Sequence, residues 1–200
     1  PGSFGRMHVI PLLADFRDRF PLVTLDLRLS DEVLDVVEGA YDLIIRNAPL
    51  PDSAVVARKL APDRRLLVAS PDYLEQHGSP STPEELASHR CVVLLDANRW
   101  KFETKQVVTV PRSFAANDGE ATRAMAENGL GISISSLWNA GPSLDSGRLV
   151  EVLPDFPLVT ESAIWALYPS KRLVPPRVRA MLDFLVERFS PVPPWERPPA

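Results

Sequence analysis

Ser3, Arg46, Asn47, Asn117, Asp118 and Ser135 are the residues whose type and setting suit them to hold a small polar molecule. Ser3 precedes a helical pattern, so its hydroxyl and the amides after it can hold a carboxylate, or serve as an ordinary N-cap. Phe4 stands beside it at the same helix start. Arg46 closes a short apolar strand, Asp42-Leu43-Ile44-Ile45-Arg46, and Asn47 follows it. Polar residues at the carboxyl ends of parallel strands line ligand crevices. A guanidinium there takes a carboxylate through two hydrogen bonds; the plainer alternative is a surface arginine paired with an acidic neighbour. Asn117 is placed to cap a helix opening at Gly119, with Glu120 completing a capping box. Asp118 beside it brings a carboxylate that repels anions. Ser135 and Ser136 end the strand that follows Gly131. Trp100 and Phe102 offer an apolar floor to such a site, or ordinary core.

The patterns that mark catalysis do not occur. His8, His77 and His89 lie far apart in sequence, without a ligand partner at metal-binding spacing. There is no Gly-x-Ser-x-Gly elbow and no glycine-lysine phosphate loop. Gly129-Leu130-Gly131 lacks a third glycine and follows a helix rather than a strand, which is not a dinucleotide fingerprint. Cys91 sits in an apolar run, where a thiol is inert. Glu84-Glu85 belongs to a helix start, Thr82-Pro83-Glu84-Glu85, and is no paired-carboxylate site. Neither cofactor nor metal is expected.

Elements that must position these residues are read from periodicity. Val9, Leu12, Leu13 and Phe16 share a face and predict a helix over 5–19. Val23, Leu25, Leu27 and Leu29 alternate with polar residues and predict a half-buried strand. A short helix is expected over 31–38, then strands at 42–46, 55–59 and 65–69. This order implies a parallel sheet with crossover helices. Ser70-Pro71 opens a helix ending at Gly78, and Cys91 to Leu95 reads as a buried strand. Strands are expected at 101–102 and 106–114. A strand, a helix and a second strand then run almost without loops from Phe114 to Ser135, with Gly129 ending the helix. A helix after Ser136 is expected to break at Gly141-Pro142. Strands at 148–153 and 162–167 precede an amphipathic helix over 175–189 with Val178, Met181, Leu182, Leu185 and Phe189 inward. The proline-rich stretch 190–200 is expected to be an irregular, mobile tail.

The composition fits this picture. The chain has 200 residues, 45% hydrophobic and 24% charged, with a net charge of −4. That suits a globular α/β protein of one or two small domains and is a poor match for wrapping nucleic acid unaided. A single cysteine excludes an internal disulfide. No stretch approaches the roughly 20 apolar residues of a membrane span, and residues 1–6 show no secretory pattern. A cytoplasmic location is expected.

Several motifs in order resemble one family, the effector-binding domain of LysR-type transcriptional regulators. They are Ser3-Phe4-Gly5-Arg6-Met7-His8, Phe20-Pro21-Leu22-Val23, Leu34-Asp35-Val36-Val37-Glu38-Gly39-Ala40-Tyr41-Asp42, Ile45-Arg46, Ala69-Ser70-Pro71-Asp72-Tyr73-Leu74, Ala116-Asn117-Asp118-Gly119, Gly129-Leu130-Gly131-Ile132, Gly147-Arg148-Leu149-Val150 and Val174-Pro175-Pro176-Arg177-Val178-Arg179. The resemblance implies two Rossmann-like subdomains in the manner of type 2 periplasmic binding proteins. One would hold 1–69 plus 163–189 and the other 70–162, with 190–200 outside both. Two crossing strands would join them as a hinge. A small-molecule effector, with carboxylates among the candidates, would bind in the cleft near Ser3, Phe4, Arg46, Asn47, Trp100, Asn117, Asp118 and Ser135. The resemblance further implies a homodimer through the helices starting at Gly5 and Gly119, a tetramer in the full-length protein, and DNA contact through an N-terminal domain with no counterpart in this chain. The family's first core strand would precede Pro1, and its loss would expose neighbouring strand edges. The alternative is a periplasmic solute-binding protein of a transporter, and an enzyme is the remaining rival.

Overall fold

Pro11 shapes the start of the chain. It has no N–H, and its ring crowds the carbonyl four residues back. The predicted helix forms, but in four consecutive pieces: α1 (Gly2–Phe4), a π turn over Gly5–Val9, a 3-10 turn over Ile10–Leu12 and α2 (Leu13–Arg19). The Ile10 N–H reaches back five residues to the Gly5 carbonyl, and this widened ladder accommodates the proline. The computed structural model describes residues 1–31, 41–49, 55–169 and 174–197. After α2 come β1 (Ile44–Ala48), β2 (Val55–Pro62), β3 (Arg65–Ala69), α3 (Pro71–His77), a 3-10 turn (Pro83–Ser88) and β4 (Cys91–Leu94). They are followed by β5 (Arg99–Lys101), β6 (Val107–Thr109), β7 (Arg112–Ala116), α4 (Gly119–Glu127), β8 (Ile132–Ser136) and α5 (Leu137–Asp145). The chain ends with β9 (Val150–Val152), β10 (Ala163–Pro169), α6 (Pro176–Phe189) and a 3-10 turn (Pro194–Glu196).

Two compact units divide the chain, 1–63 with 161–200 and 64–160. In the first, β10 lies between β1 and β2 and runs antiparallel to both. The parallel pairing expected from element order is therefore not found among the described strands of this unit, because the central strand comes from the far end of the chain. Against this sheet the apolar stripe of α6 is buried where its period places it: Val178, Met181, Leu182, Leu185 and Phe189, joined by Phe184. Phe16 of α2 meets Phe184 edge-on at 5.2 Å. Each such fully buried side chain contributes roughly 1.5–3 kcal/mol. Arg19–Glu187 and Arg188–Asp15 link the same helices from outside at 2.6 and 2.9 Å, but both pairs are exposed and add little.

The alternating segment 23–29 forms no strand and has no ladder partner among the described residues. Leu25, Leu27 and Leu29 remain 38–45% exposed. Alternation shows only that one face is apolar, and a strand also needs a neighbour to pair with. The helix expected over 31–38 lies outside the described residues except for Asp31.

The second unit carries a five-stranded sheet of order β7-β4-β8-β3-β9. The β4 strand pairs in parallel with β7 and β8, while β3 runs antiparallel to β8 and β9. Successive residues of β3 face opposite sides. Leu66 and Val68 join Ala126, Ala140 and Leu149 under α4 and α5. Leu67 and Ala69 join Tyr73, Leu86, Cys91, Val93, Trp100 and Phe102 on the other face. The expected strand over 106–114 divides at Pro111 into β6 and β7, since a proline donates no ladder hydrogen bond. The helix expected to break at Gly141-Pro142 instead continues through Pro142 as α5. Proline crowds the Cβ of the residue before it, and Gly141 has none. The Thr82 capping box is not made: the Thr82 side chain makes no cap bond, and Glu85 accepts the N–H of Ser81, one residue before the cap, at 2.8 Å.

Candidate functional site

In the second unit the parallel strands β4, β7 and β8 end together, and the chain turns from β7 straight into α4. The Leu95 N–H donates to the Ala116 carbonyl at 2.7 Å beyond the end of β4. Asp118 caps α4, its Oδ1 accepting the Glu120 N–H at 2.9 Å. The expected cap, Asn117, lies one residue too early and is exposed. Asp118 is itself extended, with φ −129° and ψ 131°, and so takes the cap position. Its carboxylate carries a full negative charge against the roughly half positive charge of a helix N-terminus. This end of α4 therefore favours a hydrogen-bond donor over an anion.

Asn139 of α5 fixes the same corner, and the sequence reading missed it. Its Nδ2 donates to the Gly119 carbonyl at 3.0 Å and to Ser135 Oγ at 3.2 Å. It thus ties the first residue of α4 to the end of β8. Its Oδ1 is buried without a hydrogen-bond partner. The available signal was the spacing of Ser135 and Asn139, one helical turn apart. Trp100 and Phe102 are buried in the core, with Trp100 Nε1 donating to the Ala97 carbonyl at 3.1 Å.

At the far end of α4, Gly129 adopts φ +74°. The Leu130 N–H reaches Met125 O and the Gly129 N–H reaches Ala126 O, both at 3.1 Å. This is the left-handed C-terminal motif expected from sequence. A hollow of about 330 Å³ opens there, lined by Asp72, Tyr73, Gln76, Glu127, Asn128 and Gly129. It contains none of the expected contact residues, and its acidic lining beside a helix C-terminus disfavours anions. Glu127 is held by Arg123 at 2.5 Å and by the Ser143 hydroxyl, which also accepts from Arg123 at 2.9 Å. This network joins α4 to α5.

In the first unit, Ser3 lies inside the helix rather than before it. Pro1 occupies the N-cap position, and the Gly2 N–H donates to Asp31 Oδ1 at 3.0 Å. The acceptor that an N-cap side chain supplies comes here from a residue distant in sequence, which leaves Ser3 buried with Phe4. A Cβ on Gly2 would stand 3.2 Å from both Arg6 Nη1 and Asp31 Oδ2, so opposite charges gather at this turn. On β1, Arg46 lies opposite Trp165 of β10, and Asn47 lies opposite Ile164. Adjacent strand residues point to opposite faces, so Arg46 and Asn47 cannot both line one wall.

His77 and His89, distant in sequence, meet at Tyr73. His77 stacks on its ring at 4.5 Å, and His89 Nδ1 lies 3.1 Å from its hydroxyl. The Arg90 N–H donates to that hydroxyl at 3.0 Å, and Arg90 Nη2 lies 2.8 Å from His77 Nε2. Burial lowers the His89 pKa, His77 lowers it further, and Glu85 partly opposes both. The Cys91 thiol is pushed up to about 12 by burial, which makes it inert as expected. Among the described residues no group of His, Cys, Asp and Glu could hold a metal ion, and no helix is long and apolar enough to cross a membrane.

Residues 1–190 match the LysR substrate binding domain family. The chain belongs to this family. Its fold is the type 2 periplasmic-binding-protein-like α/β fold of LysR regulatory domains. The domain is 35% identical over 197 residues to the probable HTH-type transcriptional regulator LtrA of Klebsiella pneumoniae, covering 94% of this chain and 63% of that one. It is 37% identical over 202 residues to an HTH-type transcriptional regulator of Xanthomonas campestris pv. campestris (strain 8004), covering 95% and 58%. The regulatory domain of CrgA, a LysR-type transcriptional regulator from Neisseria meningitidis, superposes with a TM-score of 0.83 at 31% identity, covering 92% and 93%. The LysR domain thus spans about three-fifths of the length of these curated relatives. They are transcriptional regulators, which does not favour the periplasmic transporter alternative.

Proposed function

We propose that this LysR domain senses a small-molecule effector on behalf of a cytoplasmic transcriptional regulator, and binds it without chemical turnover. The observation that carries this reading is the family match over residues 1–190. The proposed contacts are Ser3, Phe4 and Arg46 in the first unit, with Asn47 on the other face of β1 set aside, and Asn117, Asp118 and Ser135 in the second, with Trp100 supporting from the core. Arg46, on β1, suits an anionic group such as a carboxylate. Asp118 at the start of α4 suits a donor. Hydroxy and amino acids pair a carboxylate with a donor, and they are the chemical class proposed. Effector binding biases an equilibrium between dimer arrangements by differential affinity. The dimer forms through the helices starting at Gly5 and Gly119, with a tetramer and DNA contact in the full-length protein.

A thermal-shift screen over small carboxylic acids tests this, because a ligand of the folded state raises the melting temperature with its occupancy. Hydroxy or amino acids are expected to stabilise the domain, and Arg46→Gln to abolish the shift while leaving the unliganded melting temperature within a degree or two. Stabilisation that survives both Arg46→Gln and Asp118→Asn would place the ligand elsewhere. Consumption of a hit on incubation with the domain would make it an enzyme.

A further inference from the structure

The family match stops at residue 190, yet the chain keeps a definite structure to residue 197. The expected mobile tail instead folds back onto the first unit. Its Trp195 ring lies 4.5 Å from His8, 5.3 Å from Phe189 and 5.6 Å from Phe4, centre to centre. Phe4 in turn meets His8 at 5.1 Å and Phe189 at 5.9 Å. One tryptophan thus joins the end of α6 to α1 and the π turn. The segment is also closed on itself. Arg197 Nε and Nη2 both donate to the Val192 carbonyl at 3.1 and 3.0 Å, and the Glu196 N–H donates to Pro193 O at 3.0 Å.

The sequence explains why so short a segment docks. Pro191, Pro193 and Pro194 fix their own φ, so little backbone freedom is lost on docking. It docks where the helix is least regular, because the π turn imposed by Pro11 has a widened ladder and relies on packing. The docked state is also imperfect. Trp195 Nε1 is buried without a hydrogen-bond partner among the described residues, although water satisfies it when the segment is released. Good ring packing with one unmet donor describes a contact that can open.

We propose that residues 191–197 are a C-terminal strap, and that the slot formed by Phe4, His8 and Phe189 is its docking site. Docked, the strap holds the turn that carries Ser3 and Phe4. Released, it loosens that turn and lowers effector affinity, a consequence that rests on the function proposed above.

Hydrogen exchange on the 200-residue chain tests the strap without any effector, so the strap and the effector reading can fail separately. Trp195→Ala, and a chain ending at Ser190, are expected to raise exchange at amides of residues 2–9 and 186–189 by about ten-fold or more, with β3 to β9 unchanged. Trp195→Phe keeps a ring in the slot and should retain most of the protection. A synthetic peptide of residues 191–197 added to the shortened chain should restore it. Unchanged exchange over 2–9 in Trp195→Ala would overturn the proposal. So would loss of protection across both units, which would make Trp195 an ordinary core residue.

Discussion

Two helix starts carry most of the proposed contacts, and they are built differently. The start of α4 is capped locally: Asp118 caps its own helix, Gly129 closes it ten residues after Gly119, and among the described residues only the brace from Asn139 comes from another element. The start of α1 is assembled at a distance: its acceptor is Asp31, its irregular turn is imposed by Pro11, and its aromatic cover is Trp195 from near the chain's end. The difference matters for sensing. A locally closed helix end keeps its geometry through small disturbances of the fold. An end held by remote residues follows whatever moves them, and local stability within one structure varies in this way.

The largest expected effect comes from Gly131→Ala. A Cβ there would lie 2.3 Å from the Arg90 backbone oxygen, at φ +152°, so backbone must shift. A loss above roughly 3 kcal/mol is expected in urea unfolding. Gly5→Ala probes the first unit in the same way, with its Cβ 2.4 Å from Leu29 Cδ2. That contact is the far end of a partly exposed side chain, so the cost should stay below about 1 kcal/mol. Equal losses for the two would dissolve the contrast between a rigid and an adaptable region.

Asp118→Ala and Asp31→Ala come next, each removing one helix acceptor at a cost of about 1 kcal/mol. What separates them is reach. Hydrogen exchange should rise only in the first turn of α4 for Asp118→Ala, but along residues 2–9 for Asp31→Ala. Acidification ranks below these. The His89 pKa is lowered by burial and by His77, so folding favours the neutral ring. Its stabilising share is present above the ordinary histidine value of about 6.5 and is lost as pH falls through the folded value. The melting temperature should fall more steeply below pH 6.5 in the parent than in His89→Gln. The smallest stability effect belongs to Asn117→Ala, within about 0.5 kcal/mol because this exposed side chain caps nothing. Weakened binding of a carboxylate hit by calorimetry is nonetheless expected if Asn117 touches the effector.

What was legible in the sequence was short in range. Ser70 was read as the cap of α3 and accepts the Tyr73 N–H at 3.3 Å. Gly129 was read as the end of α4, and the buried stripe of α6 follows its period. Asn117, Asp118 and Ser135 remain proposed contacts, and the α4 cap falls on Asp118, one residue after the position expected. Ser3 was misread because an acceptor 29 residues away replaces it. Trp100 was ambiguous because an aromatic ring fits a floor or a core equally well until its neighbours are known.

By itself, the sequence determined the helices α3, α4 and α6, the stops at Gly78 and Gly129 and the family, because each depends on residues within a turn or two or on motifs in order along the chain. Only the tertiary structure decided that 23–29 is no strand, that Asn139 braces the α4 corner and that Trp195 is docked rather than free. Each of these depends on a partner far away in the chain, and no local preference can specify which partner that is.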